Sequence, residues 1–225
     1  MTGIIVQARM GSTRLPGKVL LPLAGQPLLS CIVRRLSNLS PMPGIVIATS
    51  VGTQDDPIAQ LAYRLGVACF RGSETNVLDR YVQCARMFGF SQIIRLTADN
   101  PFIDVEELPR LMAAHLKGHA DYSLNVEELP IGAGAEMFTF SALERSLRHA
   151  SAPHHFEHVN EYILEHPEDF RTIRLSVDDS KKAFDLRLTV DTPEDYQRAC
   201  SLAERFNIES VTTPELIAFL RLEVA

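Results

Sequence analysis

Four cysteines in 225 residues, Cys31, Cys69, Cys84 and Cys200, form no C-x-x-C pair, so neither a zinc knuckle nor a disulfide framework is indicated. No apolar run approaches the ~20 residues of a membrane span, and no basic leader precedes a short apolar stretch at the N-terminus. Basic charge is scarce as well: 22 Lys and Arg against 28 Asp and Glu leave a net charge of -6, which disfavours a nucleic-acid-binding face. Two common nucleotide signatures, G-x-x-x-x-G-K-[ST] and G-x-G-x-x-G, are missing. The expectation is a soluble cytoplasmic chain with reduced thiols and no membrane or nucleic-acid partner.

What is present stands out against that acidic background. Residues 9–18 read Arg9-Met-Gly11-Ser12-Thr13-Arg14-Leu-Pro16-Gly17-Lys18, three cations and two hydroxyls directly after the apolar run Ile4-Ile5-Val6. That run reads as a buried parallel strand, and loops leaving the carboxyl ends of such strands are where open α/β sheets bind ligands. Gly11 and Gly17 allow backbone amides to approach an anion, and Pro16 stiffens the loop. Arg9, Arg14 and Lys18 can neutralise charge that grows at phosphorus. A glycine-punctuated cationic loop is also compatible with a plain surface turn. The spacing favours a polyphosphate cradle, hence phosphoryl or nucleotidyl transfer.

With 46% hydrophobic residues the chain can bury a substantial core as one domain over residues 1–225. From Gly3 to about Asp104 short β-branched runs alternate with helical patterns, the mark of βαβ units around a parallel sheet. Strands are expected at Ile4 to Ala8, Ile45 to Thr49, Val67 to Phe70 and Gln92 to Thr97. The region at about 120–180 reads as an inserted α+β lobe, with strand-like pieces at Asp121 to Asn125 and Glu136 to Phe140 and a helix from Pro153 to Glu165. Strands at Arg171 to Val177 and Leu186 to Val190 follow, then helices at Pro193 to Phe206 and Pro214 to Leu222 that open on proline.

Transfer from a nucleoside triphosphate normally needs Mg²⁺ on one or two carboxylates. Asp99, between a buried strand and Asn100-Pro101, and Asp191, in Val190-Asp191-Thr192-Pro193, meet that need. Asp191 reads equally well as the N-cap of a helix. Asp55-Asp56 and Asp178-Asp179, the latter before Ser180-Lys181-Lys182, read as solvated turns. His154 and His158 fall on one helical face, but a zinc site needs three or four ligands and no H-E-x-x-H is present, so a polar contact with substrate or a partner chain is the better role for His158.

These motifs together resemble the CMP-sugar-acid synthetases, cytidylyltransferases that activate acylneuraminate, Kdo and related acids with CTP, and most of all their spore-coat-polysaccharide branch. The likeness rests on Gln7-Ala8-Arg9 through Lys18, Gly25-Gln-Pro27, Ile45 to Thr49, Arg71-Gly-Ser73, Asn76-Val-Leu-Asp79-Arg80-Tyr81, Thr97-Ala-Asp99-Asn100-Pro101 and Thr189-Val-Asp191-Thr-Pro-Glu-Asp195. It implies a Rossmann-like nucleotide-diphospho-sugar transferase fold, α/β and mostly parallel, with helices on both faces. It further implies that Ala8, Arg9, Gly11, Ser12, Ser73, Asn76 and Arg80 surround the nucleotide and that Arg14 and Lys18, with Arg9, hold its phosphates. Asp99 and Asp191 would ligate Mg²⁺. Asn100, Glu136 and His158 would meet a small acidic acceptor, and the insertion would shape that pocket and a homodimer contact. Two positions depart from the branch: Gly134, where an acidic residue is usual, and Phe156, where an arginine commonly precedes Glu-His-Val. Two other readings stay open, a nucleotide-sugar glycosyltransferase of the same fold, although no Asp-x-Asp is present, and a non-catalytic nucleotide-binding subunit.

Overall fold

The computed structural model describes residues 1–40 and 43–224. Its centre is β1 (Thr2–Gln7), whose flanks are occupied by β4 (Gly44–Ser50) and β6 (Gln92–Thr97), both parallel to it. β5 (Ala68–Gly72) adds to β4, while β8 (Glu136–Thr139), β7 (Tyr122–Leu124) and β9 (Thr172–Arg174) continue outward from β6. The seven-stranded order is therefore β5-β4-β1-β6-β8-β7-β9, parallel except for the two pairings of β8. A small hairpin, β2 (Pro22–Leu23) with β3 (Gln26–Pro27), lies outside this sheet and turns through Ala24 and Gly25, both at positive φ.

Burial on both faces explains the near-continuous apolar strands. Ile4 and Val6 of β1, Ile45 and Ile47 of β4, and Ile94 and Leu96 of β6 face one core. Their alternates Ile5, Val46, Ala48 and Ile93 face the other. The first core is closed by α1 (Leu28–Leu36), α2 (Asp56–Arg64), α4 (Glu107–Lys117), α8 (Pro193–Arg205) and α9 (Thr213–Val224). The second is closed by α3 (Val77–Phe88), α5 (Phe140–His149) and two short helices, α6 (Pro153–Glu157) and α7 (Glu161–Glu165).

Three sequence expectations change. Leu186 to Val190 is extended but forms no strand, because its partner is the glycine-rich turn at Ile131, which offers only one bridge, to Arg187. The helix expected from Pro153 to Glu165 breaks at His158, whose backbone is extended (φ -113, ψ 114), and the break turns Val159 into the core, where it is fully buried. His154 and His158 therefore do not share a helical face. The third is the strand expected from Arg171 to Val177, which pairs only over Thr172–Arg174.

The chain runs outward from β1 through β4 to β5, then crosses back to β6 on the other side of β1. That reversal opens a crevice at the carboxyl ends of β1 and β6, the usual ligand position in a doubly wound sheet. Arg9 to Lys18 leaves β1 there, and Asp99 leaves β6.

Candidate active site

A cavity of about 210 Å³ fills this crevice. Its walls include Arg9, Gly11, Ser12, Arg14, Lys18, Asp99 and Asp191. The loop that forms one wall is shaped from within. Gly17 sits at φ 68 in the left-handed region and donates its amide to Met10 O, while Ser12 Oγ accepts from Leu15 N. Lys18 then starts a short 3₁₀ turn with its stem buried.

The two aspartates proposed from sequence converge. Lys18 Nζ donates to Asp99 Oδ2 at 2.6 Å and to Asp191 Oδ1 at 2.8 Å, so one ammonium touches both carboxylates. The backbone locks the two acid-bearing segments together, because Val190 N donates to Asp99 O at 2.8 Å. Asp99 is aimed from its own strand end: Thr97 Oγ1 donates to its Oδ1 at 2.6 Å, and Asn100 Nδ2 donates to Thr97 Oγ1 at 2.9 Å.

Asp191 had two readings, and its neighbours decide between them. Thr192 is the N-cap of α8, its hydroxyl accepting from Asp195 N, and the Asp195 carboxylate accepts from the amides of Thr192 and Asp191 in return. The capping work is done by Thr192 and Asp195, which leaves the Asp191 carboxylate facing the cavity. There it also meets Arg14 Nη2 at 3.1 Å and Arg187 Nη2 at 2.5 Å. Burial works to raise the Asp191 carboxyl, but Lys18, Arg14 and Arg187 outweigh it and hold it below its ordinary value.

Asp55 corrects the sequence reading. It is not a solvated turn but is 1% exposed, with Oδ1 accepting from Met10 N at 2.8 Å and Oδ2 from Ser50 N at 3.1 Å. One buried carboxylate thus ties the cradle to the end of β4. Burial alone would raise its pKa, yet the hydrogen bonds from Ser50 and Met10 outweigh that and hold it below the usual aspartate value.

The residues assigned to base and ribose form a second group. Arg80 is 1% exposed and donates Nη1 to Ser73 O at 2.7 Å, while its Nε and Nη2 make no hydrogen bond with the described protein. Ser73 Oγ accepts from Asn76 N, and the Asn76 side chain caps α3 by accepting from Asp79 N. Ser73 and Asn76 therefore shape the turn that carries Arg80. Ala8 is buried and donates its amide to Ala48 O. Gln7, which opens the resembling motif without an assigned role, also lines the cavity and holds a buried Oε1 with no partner among the described residues.

A smaller cavity of about 110 Å³ adjoins the first, sharing Thr97 and lined also by Arg95, Asn100, Gly132, Gly134 and Glu136. Asn100 and Glu136 both line this second cavity. Glu136 is 6% exposed and bound on both oxygens, by the Arg95 guanidinium and the Tyr122 hydroxyl. A Cβ on Gly134 would come within 2.8 Å of Val126 Cα, so the acidic residue usual at this place cannot enter without moving the 125–126 segment. His158 is exposed and lines neither cavity.

The neighbouring histidines are bound elsewhere. His154 Nε2 and His155 Nε2 each lie 2.7 Å from a Glu165 carboxylate oxygen. His155 Nδ1 accepts from the Ser151 and Ala152 amides, so its Nε2 carries the proton and donates to Glu165. A metal-ligating imidazole needs the opposite arrangement, its second nitrogen donating outward. The cluster is a hydrogen-bonded brace between α6 and α7.

This sheet, with a cationic glycine-bearing loop and paired carboxylates at its switch point, has the architecture of an α/β nucleotidyltransferase. The profile of the cytidylyltransferase family matches residues 3–215, and the chain belongs to that family. It is 39% identical over 222 residues to the spore coat polysaccharide biosynthesis protein SpsF of Bacillus subtilis, covering 96% of this chain and 92% of that protein. The solved cytidylyltransferase of Leptospira borgpetersenii serovar Hardjo-bovis superposes with a TM-score of 0.92 at 31% identity, over 99% of this chain and 94% of that one. A CMP:2-keto-3-deoxy-manno-octonic acid synthetase solved with CTP shares the fold, with a TM-score of 0.70 at 17% identity over 91% and 98% of the two chains.

Proposed function

We propose that this chain is a Mg²⁺-dependent enzyme that transfers CMP from CTP to a small acidic acceptor, a sugar acid or a related acid, within surface-polysaccharide or glycoconjugate biosynthesis. The observation that carries this reading is the convergence of Asp99 and Asp191 on one cation position, filled by Lys18, beside the loop cations Arg9 and Arg14. The donor set suits the metal: two carboxylates from separate segments, each oriented by neighbours, on a cavity wall that leaves further positions for phosphate oxygens and water. Asp99 and Asp191 would hold Mg²⁺, which would withdraw charge from the phosphate oxygens at the reacting phosphorus.

The acceptor hydroxyl oxygen gives up its proton to solvent and attacks the α-phosphorus, the bond from that phosphorus to the αβ-bridging oxygen breaks, and pyrophosphate leaves with that oxygen. Arg14, Lys18 and Arg9 supply the positive charge that the departing pyrophosphate gathers. Arg187 and Asp195 keep Asp191 in place, and Thr97 does the same for Asp99. The smaller cavity seats the acceptor next to Asn100, on the far side of Thr97 from the nucleotide. The same reading includes cytoplasmic activity and a homodimer through the 120–180 region, where His158 and Leu164 are exposed; sedimentation velocity checks the latter.

Pyrophosphate release from CTP, UTP and ATP with Mg²⁺ across a panel of sugar acids and simpler acids tests the reaction. Release with CTP and at least one acid supports it. Binding of CTP with no release across the panel, or release of free nucleoside diphosphate from a nucleotide sugar, contradicts it.

A further inference from the structure

Lys18 occupies an unusual place for a residue expected to bind phosphate. Its Nζ lies 2.6 Å from Asp99 and 2.8 Å from Asp191, and the side chain is only 10% exposed. The two carboxylates are 24% and 17% exposed, so their mutual repulsion is screened less than at an open surface. Arg14 and Arg187 also sit on Asp191, and Arg187 is shared with Asp195. Without a ligand, the cations already present balance both carboxylates.

We propose that Lys18 is a positioning residue that serves as the built-in counter-ion of the divalent-cation seat. In the nucleotide-free protein its ammonium neutralises Asp99 and Asp191 and so excludes a divalent ion. The incoming triphosphate draws Lys18 and Arg14 onto its own oxygens and so frees both carboxylates for the metal that accompanies it. This rests on the nucleotidyl-transfer reading above and adds to it a coupling: metal affinity is low until nucleotide is bound. The physical reason is charge balance. A divalent ion entering the free site would meet two carboxylates and up to three cations, whereas four phosphate-borne charges reverse that balance.

The side chains make the exchange feasible. Lys18 hangs on a flexible four-carbon stem and presents three donors, and Arg14 is 61% exposed at the rim. Thr97 holds the Asp99 carboxylate and Arg187 the Asp191 carboxylate without Lys18, while the Thr192–Asp195 capping box fixes the Asp191 backbone, so the seat does not depend on the ammonium for its shape.

Mn²⁺ binding to nucleotide-free protein, read by the electron paramagnetic resonance signal of the free ion, tests the claim without any turnover. Wild type should bind Mn²⁺ at least about tenfold more weakly than Lys18→Met, since removing one cation from a part-buried site is worth that much. Lys18→Arg, which restores the charge, should return the site to wild-type weakness. Lys18→Met with Asp99→Asn should lose the gained affinity. Equal Mn²⁺ affinity in wild type and Lys18→Met overturns the proposal, as does a gain that survives Asp99→Asn. Should Lys18→Met fold poorly, Lys18→Gln provides the same comparison. Equilibrium dialysis of CTP with wild type and Mn²⁺ reads the underlying assignment separately: no CTP binding there overturns the proposed function, while the nucleotide-free titration still decides the role of Lys18.

Discussion

Lys181 donates to Asp104, Glu106 and Glu107 at the N-terminus of α4, whereas Lys18 bridges Asp99 and Asp191 on the wall of a cavity of about 210 Å³. Both ammonium groups are about nine-tenths buried, and each is gripped by more than one carboxylate. Around Lys181 the two buried acceptors, Asp104 and Glu107, each have a second structural duty, Glu107 by pairing with Arg110. Asp104 takes the amides of Glu106 and Glu107 and the Thr213 hydroxyl, so the cluster ties α4 to the start of α9. Burial alone would depress the Lys181 ammonium's pKa, and the three carboxylates outweigh it and raise it above the ordinary lysine value. Around Lys18 the carboxylates are held by other groups and face open space. Identical chemistry is a rivet in one place and a seat in the other, and the cavity makes the difference.

The sharpest way to break this comparison is at the carboxylates of the seat. Asp99→Asn should cut pyrophosphate release at least about 100-fold, because the metal contribution is several kcal/mol. Its melting temperature should stay close to that of wild type, since no helix or strand hangs on that side chain. A large fall in melting temperature with turnover per folded molecule intact would place Asp99 with the rivets.

Lys181→Met should do the reverse. Removing one member of a buried ionic cluster leaves uncompensated acids, and a loss of about 3 kcal/mol in urea unfolding is expected with CTP binding retained. Retained stability would show that the cluster holds nothing.

Asp55 tests the middle ground, as a scaffold carboxylate that shapes the cradle. Its pKa is depressed by folding, so its stabilisation is present above the unfolded value and lost as pH falls through the folded one. The stability gap between wild type and Asp55→Asn should therefore be constant above about pH 5 and shrink below about pH 4. A gap that widens on acidification would contradict the hydrogen-bonded assignment.

The smallest effect belongs to the acceptor cavity. Gly134→Asp must displace the 125–126 segment and should cost about 1–2 kcal/mol by overpacking. CTP affinity should not change; a matching loss of CTP affinity would mean that the two cavities are one site.

Much of the seat was legible in sequence because it follows strand ends. A buried apolar strand followed by glycines and cations, and an acid between a strand and Asn-Pro, are local patterns that place both groups at one end of the sheet. Asp191 was only half legible: Thr-Pro-Glu-Asp announces a helix start, and the division of labour between Thr192, Asp195 and Asp191 depends on which side chain turns back onto the amides. Asp55 and Lys181 were not legible as buried groups, nor Arg187 as a partner of Asp191, since their partners lie far away in the chain, at Met10 and Asp104, or across a short extended segment. Arg187 offered a signal, a charge inside an otherwise apolar run next to Asp191. His158 stands apart from His154 for a backbone reason, since the chain is extended there and Val159 turns into the core.

Calorimetric titration of CTP with Mg²⁺ into wild type, Asp191→Asn and Lys181→Met tests the central claim most directly. Single-site binding is expected to wild type and to folded Lys181→Met, and binding at least about tenfold weaker to Asp191→Asn. Equal CTP affinity in wild type and Asp191→Asn would contradict it.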